Sequence, residues 1–275
     1  MAALESFRDG WTALSTTPTL LVAGGLLVAL SLAGVLDFGP ETEPIVALGL
    51  LLTFPFVLGG FLGMAVAAVR DGESSLATFV RAGVANYSRL LAATVLFVAG
   101  LVALFTVLFA LTLVPLVLLV LVDMGDAALV GAGITFALSV LATLLGIPTV
   151  LLFVQFLAPA IVAEDRSVAG AVRRSVALVR HNLGSVVGFT LLWVFVVSLV
   201  PHPEVLLEVS PTWLPATPYF GASTLVVAVA SVLSTAALTY CYTVHAAYFL
   251  RLAGGQPAWT RQSDRPKPAG TVETQ

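Results

Sequence analysis

The chain has 275 residues, of which 59% are hydrophobic and only 10% charged, and its mean hydropathy is +1.05. A soluble domain carries about 45–50% apolar and about 25% charged residues, so a water-soluble fold of this size is excluded and an integral membrane protein is expected. A net charge of −3 without any long basic run gives no support to nucleic-acid binding, and the single cysteine, Cys241, excludes an internal disulfide or a cysteine metal cluster.

The first apolar run, Thr19–Leu36, is longer than the 7–15-residue core of a typical signal peptide. It follows a segment in which Arg8 is offset by Glu5 and Asp9, so a retained helix is expected. A spanning helix needs about 20 apolar residues. On that measure the chain offers six spans, near residues 19–36, 45–69, 90–122, 127–163, 183–200 and 221–250, within a membrane domain over 1–253. Residues 254–275 read as a disordered cytoplasmic tail. The fold class expected is all-α: a polytopic bundle of six transmembrane helices.

Charge sets the expected topology. The twelve Lys and Arg residues fall in four stretches, at Arg8, Arg70–Arg89, Arg166–Arg180 and Arg251–Lys267. The alternate segments, Phe38–Pro44, Asp123–Asp126 and Pro201–Phe220, hold acids and no base. Loops rich in Lys and Arg stay on the cytoplasmic side. Six spans with both termini cytoplasmic satisfy every loop, whereas five or seven would strand a basic loop outside. A multi-pass protein of the cell membrane follows. The third and fourth spans exceed bilayer thickness, and tilt, protrusion or bends at Pro115, Pro148 and Pro159 are expected to absorb the excess.

Two segments read as copies. Aligned on Pro55 and Pro148, they share a serine nineteen residues on (Ser74, Ser167), an arginine twenty-six residues on (Arg81, Arg174) and an acid just before the serine (Asp71, Glu164). Both serines suit a helix N-cap. Each copy predicts a basic amphipathic helix lying in the cytoplasmic interface, near 75–88 and 167–181. In the second, Val168, Val172, Ser175 and Val179 form one face while Arg166, Arg173 and Arg180 recur every seventh residue on the other. In the first, Leu76, Phe79, Val80, Gly83 and Tyr87 oppose Thr78, Arg81 and Arg89. Leu4, Phe7, Trp11 and Leu14 suggest a third, degenerate version.

Chemistry-bearing motifs are sparse. No charged residue falls clearly inside a span; His245, amid Tyr240, Tyr242 and Tyr248, and Gln155 are the strongest other polar candidates. An interfacial aromatic belt or interhelical hydrogen bonds explain them more simply than a proton relay. Gly59 and Gly63 form a GxxxG pair, and His202 with Glu204 falls short of a metal site. No nucleophile elbow, P-loop or zincin helix appears, so no enzyme, cofactor or metal is expected.

The residues APAIVAEDRSVAGAVRRSVALVRHNLGSVV at Ala158–Val187 resemble a signature of the polytopic membrane domain attached to some glycerophosphoryl diester phosphodiesterases, and of its stand-alone prokaryotic relatives. Pro159, Glu164, Ala171, Arg174, Ser175, Leu178 and Asn182 carry the likeness. It implies a membrane domain without the soluble barrel that holds the phosphodiesterase activity.

The function expected is therefore non-enzymatic: contact with the lipid bilayer and its anionic headgroups, or organisation of the membrane, a membrane partner or a homo-oligomer. The arginines Arg166, Arg173, Arg174, Arg180, Arg81 and Arg89 are the expected headgroup contacts. The alternative is a transporter or the membrane subunit of one.

Overall fold

The computed structural model of the protein describes residues 2–34, 39–121, 126–200 and 222–254. His202 and Glu204, the segments Pro201–Phe220 and 122–125, and the chain beyond Gly254 lie outside the described residues.

Among the described residues the structure is helical throughout, without strands. The helices are α1 (Ala2–Thr16), α2 (Leu20–Ala33), α3 (Glu43–Asp71), α4 (Leu76–Leu121), α5 (Asp126–Val154), α6 (Leu157–Glu164), α7 (Val168–His181), α8 (Leu183–Ser198) and α9 (Ala222–Leu252). Three segments are long and apolar enough to cross a membrane: α3, most of α4, and the run from α5 through α6. The number rises to five if each of two bent pairs counts as one span: α1 with α2, bent by 104°, and α7 with α8, bent by 100°. The most apolar stretch of α4 buries nothing inside the molecule, and Phe105, Phe109 and Leu111 project from it. Such a surface is matched by a hydrocarbon surround and not by water.

The breaks have local causes. Pro18 cannot donate the amide hydrogen bond that would carry α1 into α2. At the second bend, Asn182 leaves helical geometry (φ −127°, ψ 28°) and its Nδ2 donates to Leu178 O at 3.0 Å. Pro159 leaves Gln155 O without its helical donor and crowds it, and the chain turns at Gln155–Phe156 between α5 and α6. Helix α3 ends at Gly72 in the left-handed region (φ 78°), and α6 ends at Asp165, which takes the same region (φ 53°) without being glycine.

The helix expected over 75–88 is not a separate element. Residues 76–121 form one 46-residue helix, about 69 Å long at about 1.5 Å per residue. The chain bends between Asn182 and Leu183 in the second copy. The matching residue in the first copy is Arg89, a good helix former with no such side-chain competition for the backbone. The cap also shifts by one residue. Ser75 Oγ, not Ser74, accepts from Thr78 N at 3.3 Å, while Ser167 Oγ accepts from Gly170 N at 3.3 Å as expected.

Glycine lets α3 and α4 approach. A Cβ on Gly60 would lie 2.7 Å from the Phe79 ring and 2.8 Å from its carbonyl oxygen, and Gly59 and Gly63 face Leu90 and Ala82 in the same seam. The GxxxG pair is therefore a packing surface within the chain. Helix α2 meets α9 in the same way, Gly24 against Thr239.

Helix α1 packs on α9 with its small residues innermost, and the Phe7 and Trp11 rings meet Tyr240 edge-on. Ser6, Asp9, Gly10 and Ala13 are buried, whereas Leu4 and Trp11 are 71% and 64% exposed. Small residues admit α9 closely, and Tyr240 Oη donates to Phe7 O at 3.1 Å. Arg251, at the end of α9, pairs with both Asp9 and Glu5. The centre of the molecule is aromatic: Phe189 stacks on Tyr248 at a centroid distance of 3.9 Å, and Phe156 stacks on His245 at 5.4 Å.

Candidate functional site

The six arginines singled out by sequence divide into two sets. Glu164, the last residue of α6, binds both Arg166 and Arg174, the latter with Nη2 3.0 Å from Oε1. Asp165, the next residue, receives Arg89 Nη1 from α4 at 2.6 Å, and Arg89 also donates to Asn86 Oδ1 at 3.2 Å. From α3, Arg70 Nη1 donates to Ala163 O at 3.1 Å. The end of α6 is thus a junction at which α3, α4 and α7 are tied by charge-assisted bonds. Arg81, Arg173 and Arg180 are the second set. They are exposed, and no carboxylate among the described residues pairs with any of them. Arg173 Nε reaches only the Ala169 carbonyl of its own helix, at 3.4 Å.

A junction of the same kind was not foreseen at the other end of the chain. Glu5 and Asp9 are four residues apart and so share one face of α1, and Arg251 meets both. That spacing was the available signal.

Beside the α6 junction lies a cavity of about 510 Å³, walled by residues of α3, α4, α5, α6, α8 and α9. Its wall is almost wholly apolar, with Phe54, Leu58, Phe97, Leu151, Pro148 and Val194 among its residues. No Asp, Glu, Lys or Arg among the described residues lines it. Among its polar side chains are Gln155, Thr190, Tyr242 and His245, with Thr94 on α4. Thr190 Oγ1 donates to Gln155 Oε1 at 3.2 Å, and Gln155 Nε2 is buried with no partner among the described residues. His245 is held between the Phe156 and Phe189 rings, and its ring nitrogens make no hydrogen bond among the described residues. The structure therefore brings together Gln155 and His245, which the sequence identified separately.

Trp193 was missed. Its Nε1 donates to Cys241 O at 3.2 Å, and its ring forms part of the cavity wall. A lone tryptophan in an apolar run carries no pattern that points inward. Among the described residues no group of three His, Cys, Asp or Glu side chains is placed to hold a metal ion.

Fold and site together define a protein that is all-helical among the described residues, with three to five segments there long and apolar enough to cross a membrane, and with an apolar cavity beside an arginine–carboxylate junction. Over residues 1–252 the chain matches, and belongs to, the family described as a domain of unknown function (DUF7847). No curated protein and no solved structure matches it.

Proposed function

We propose that the chain is a non-enzymatic, six-span integral membrane protein that binds anionic lipid headgroups through Arg81, Arg173 and Arg180. The observation that carries the reading is the division of the arginines. The carboxylates at the α6 junction are already taken up by Arg89, Arg166 and Arg174, while Arg81, Arg173 and Arg180 are left exposed and unpaired among the described residues. A basic side chain near an anionic leaflet contributes about 1 kcal/mol. Helix α7, with Arg173 and Arg180 outward and Ala171, Ser175, Leu178 and Val179 buried, is on this reading an amphipathic helix in the cytoplasmic interface.

The topology rests on charge. On this reading the spans are α2, α3, α4, α5–α6, α8 and α9, and both termini stay cytoplasmic with the basic segments. An internal repeat offset by 93 residues is supported by matched geometry. The left-handed residues Gly72 and Asp165 are 93 apart, as are Arg70 and its acceptor Ala163. Gly63 faces Ala82 in the first copy, and at the matching positions Phe156 N donates to Ser175 Oγ at 3.2 Å. On the same reading, the signature at Ala158–Val187 relates the chain to the membrane domain of glycerophosphoryl diester phosphodiesterases, without their barrel.

The test is binding of fluorescent phosphatidylglycerol to the purified chain in detergent, against a variant with Arg81, Arg173 and Arg180 all changed to Gln. Weaker binding in the variant is expected, and equal binding refutes the reading. A transport role is the second reading, favoured by the cavity. Solute or lipid flux in proteoliposomes above that of empty vesicles would support it.

A further inference from the structure

The cavity has features of a binding site rather than of a gap between helices. Its wall carries unfilled hydrogen-bonding capacity: Gln155, oriented by Thr190, has a buried Nε2 with no acceptor among the described residues, and Tyr242 and His245 line the same cavity. Burying an amide in an apolar surround without a partner costs several kcal/mol, a cost that an occupant with a matching acceptor removes.

The chemistry of that occupant can be read from the wall. Among the described residues no carboxylate, lysine or arginine lines the cavity, so the part of the ligand that enters is uncharged. The wall is otherwise aliphatic and aromatic, and about 510 Å³ lies within the range of pockets for a small organic ligand and far exceeds the roughly 30 Å³ of one water. The free donor on Gln155 calls for an oxygen acceptor. Depth excludes a charged headgroup. Gln155 lies nine residues before Glu164, up to about 14 Å along the helix from the ion-paired junction, and His245 lies six residues before Arg251, about 9 Å. Phosphates would remain with the arginines. Entry is from the apolar side, because Phe54, Leu151 and Val194 line the cavity and are also exposed on the molecular surface, at 39%, 43% and 49%.

We infer that this cavity binds an uncharged, hydrocarbon-tailed amphiphile whose carbonyl oxygen accepts a hydrogen bond from Gln155 Nε2. The inference rests on the reading of these helices as membrane spans. Two sources share the chemistry, an acyl ester and an isoprenoid quinone. Thr190 holds the amide in the donating orientation, and Trp193, beside the bound tail, is the natural reporter.

The experiment titrates the purified full chain in detergent with four probes and follows Trp193 emission, isolated as the difference from a Trp193→Phe variant. The probes are a dibromostearate methyl ester, a short-chain quinone, a dibromoalkane of matching length and a dibrominated phosphatidylglycerol. Saturable quenching by the ester or the quinone is expected, and whichever binds more tightly identifies the source. The alkane, with no acceptor, is expected to bind about tenfold more weakly, and Gln155→Leu is expected to weaken the carbonyl probe by about the same factor. Leu151→Trp, which fills the cavity, abolishes quenching by every probe that enters it and serves as the second variant should Gln155→Leu fold poorly. Equal quenching by the phospholipid, insensitive to either substitution, overturns the inference, as does the absence of any saturable quenching. Gln155→Leu leaves phosphatidylglycerol binding at the arginines unchanged, so failure here is distinguishable from failure of the headgroup reading.

Discussion

Asp9 is the residue whose loss should most loosen the molecule. Its side chain is 2% exposed and pairs with Arg251, which is 20% exposed, while Glu5, the second partner of Arg251, is 52% exposed. Removing one member of a buried pair costs about 3–5 kcal/mol, because the remaining charge loses its compensation in a place water does not reach. Glu5 remains after Asp9→Ala and offsets part of this, so a loss of about 2–3 kcal/mol is expected. Glu5→Gln, at an exposed site screened by solvent, should cost less than about 1 kcal/mol. Arg251→Met alone removes a charged partner of the buried Asp9. The double variant Asp9→Ala/Arg251→Met removes both charges and should cost about 1–3 kcal/mol less than the sum of the single changes. Unfolding of the detergent-solubilised chain in a denaturing detergent, followed by tryptophan emission, reads the difference, since Trp11 lies edge-on to Tyr240 of α9 with centroids 6.2 Å apart. A cycle that is additive, or an Asp9→Ala variant no less stable than Glu5→Gln, would refute the buried tie between α1 and α9.

Two further outcomes follow from packing and hydrogen bonding. Gly60→Ala places a methyl group against the Phe79 ring and its backbone carbonyl, and overpacking should cost about 1–3 kcal/mol; Gly100→Ala, with nothing within 4 Å, should be neutral or stabilise by up to about 1 kcal/mol through helix propensity. Equal unfolding midpoints for the two would contradict the α3–α4 seam. Ser175 Oγ donates to Phe153 O at 2.7 Å and accepts from Phe156 N at 3.2 Å, bridging α7 to the turn between α5 and α6. Ser175→Ala should therefore destabilise by about 1–3 kcal/mol, and hydrogen exchange at Phe156 should speed up; unchanged protection there would count against the bridge.

Much of the helical layout was readable because its determinants are local. Pro159, the Asp165–Ser167 segment and the apolar run after Leu183 mark element ends by their own chemistry. The continuity of α4 was not readable. Ser75 to Arg89 is basic and amphipathic in sequence, but nothing between Arg89 and Leu90 stops a helix, and the likeness to the second copy suggested a break that only Asn182 supplies there. The buried face of α1 was not readable either. Leu4 and Trp11 look like core residues under the rule for water-soluble helices, but next to hydrocarbon large apolar residues can face outward and small ones pack inward. In the site, the polar residues Gln155 and His245 stood out because apolar runs make them rare. Their convergence depends on three helices coming together and has no signature in one dimension. The division of the arginines was hidden too, because pairing is decided by which side chains the left-handed turn at Asp165 aims toward α4.

The headgroup reading is tested most directly by the salt dependence of phosphatidylglycerol binding. If Arg81, Arg173 and Arg180 each contribute about 1 kcal/mol, their joint replacement by Gln weakens binding by up to about a hundredfold at low ionic strength, and the gap narrows as salt screens the exposed charges. Binding of equal strength and equal salt dependence in the two proteins would contradict the account.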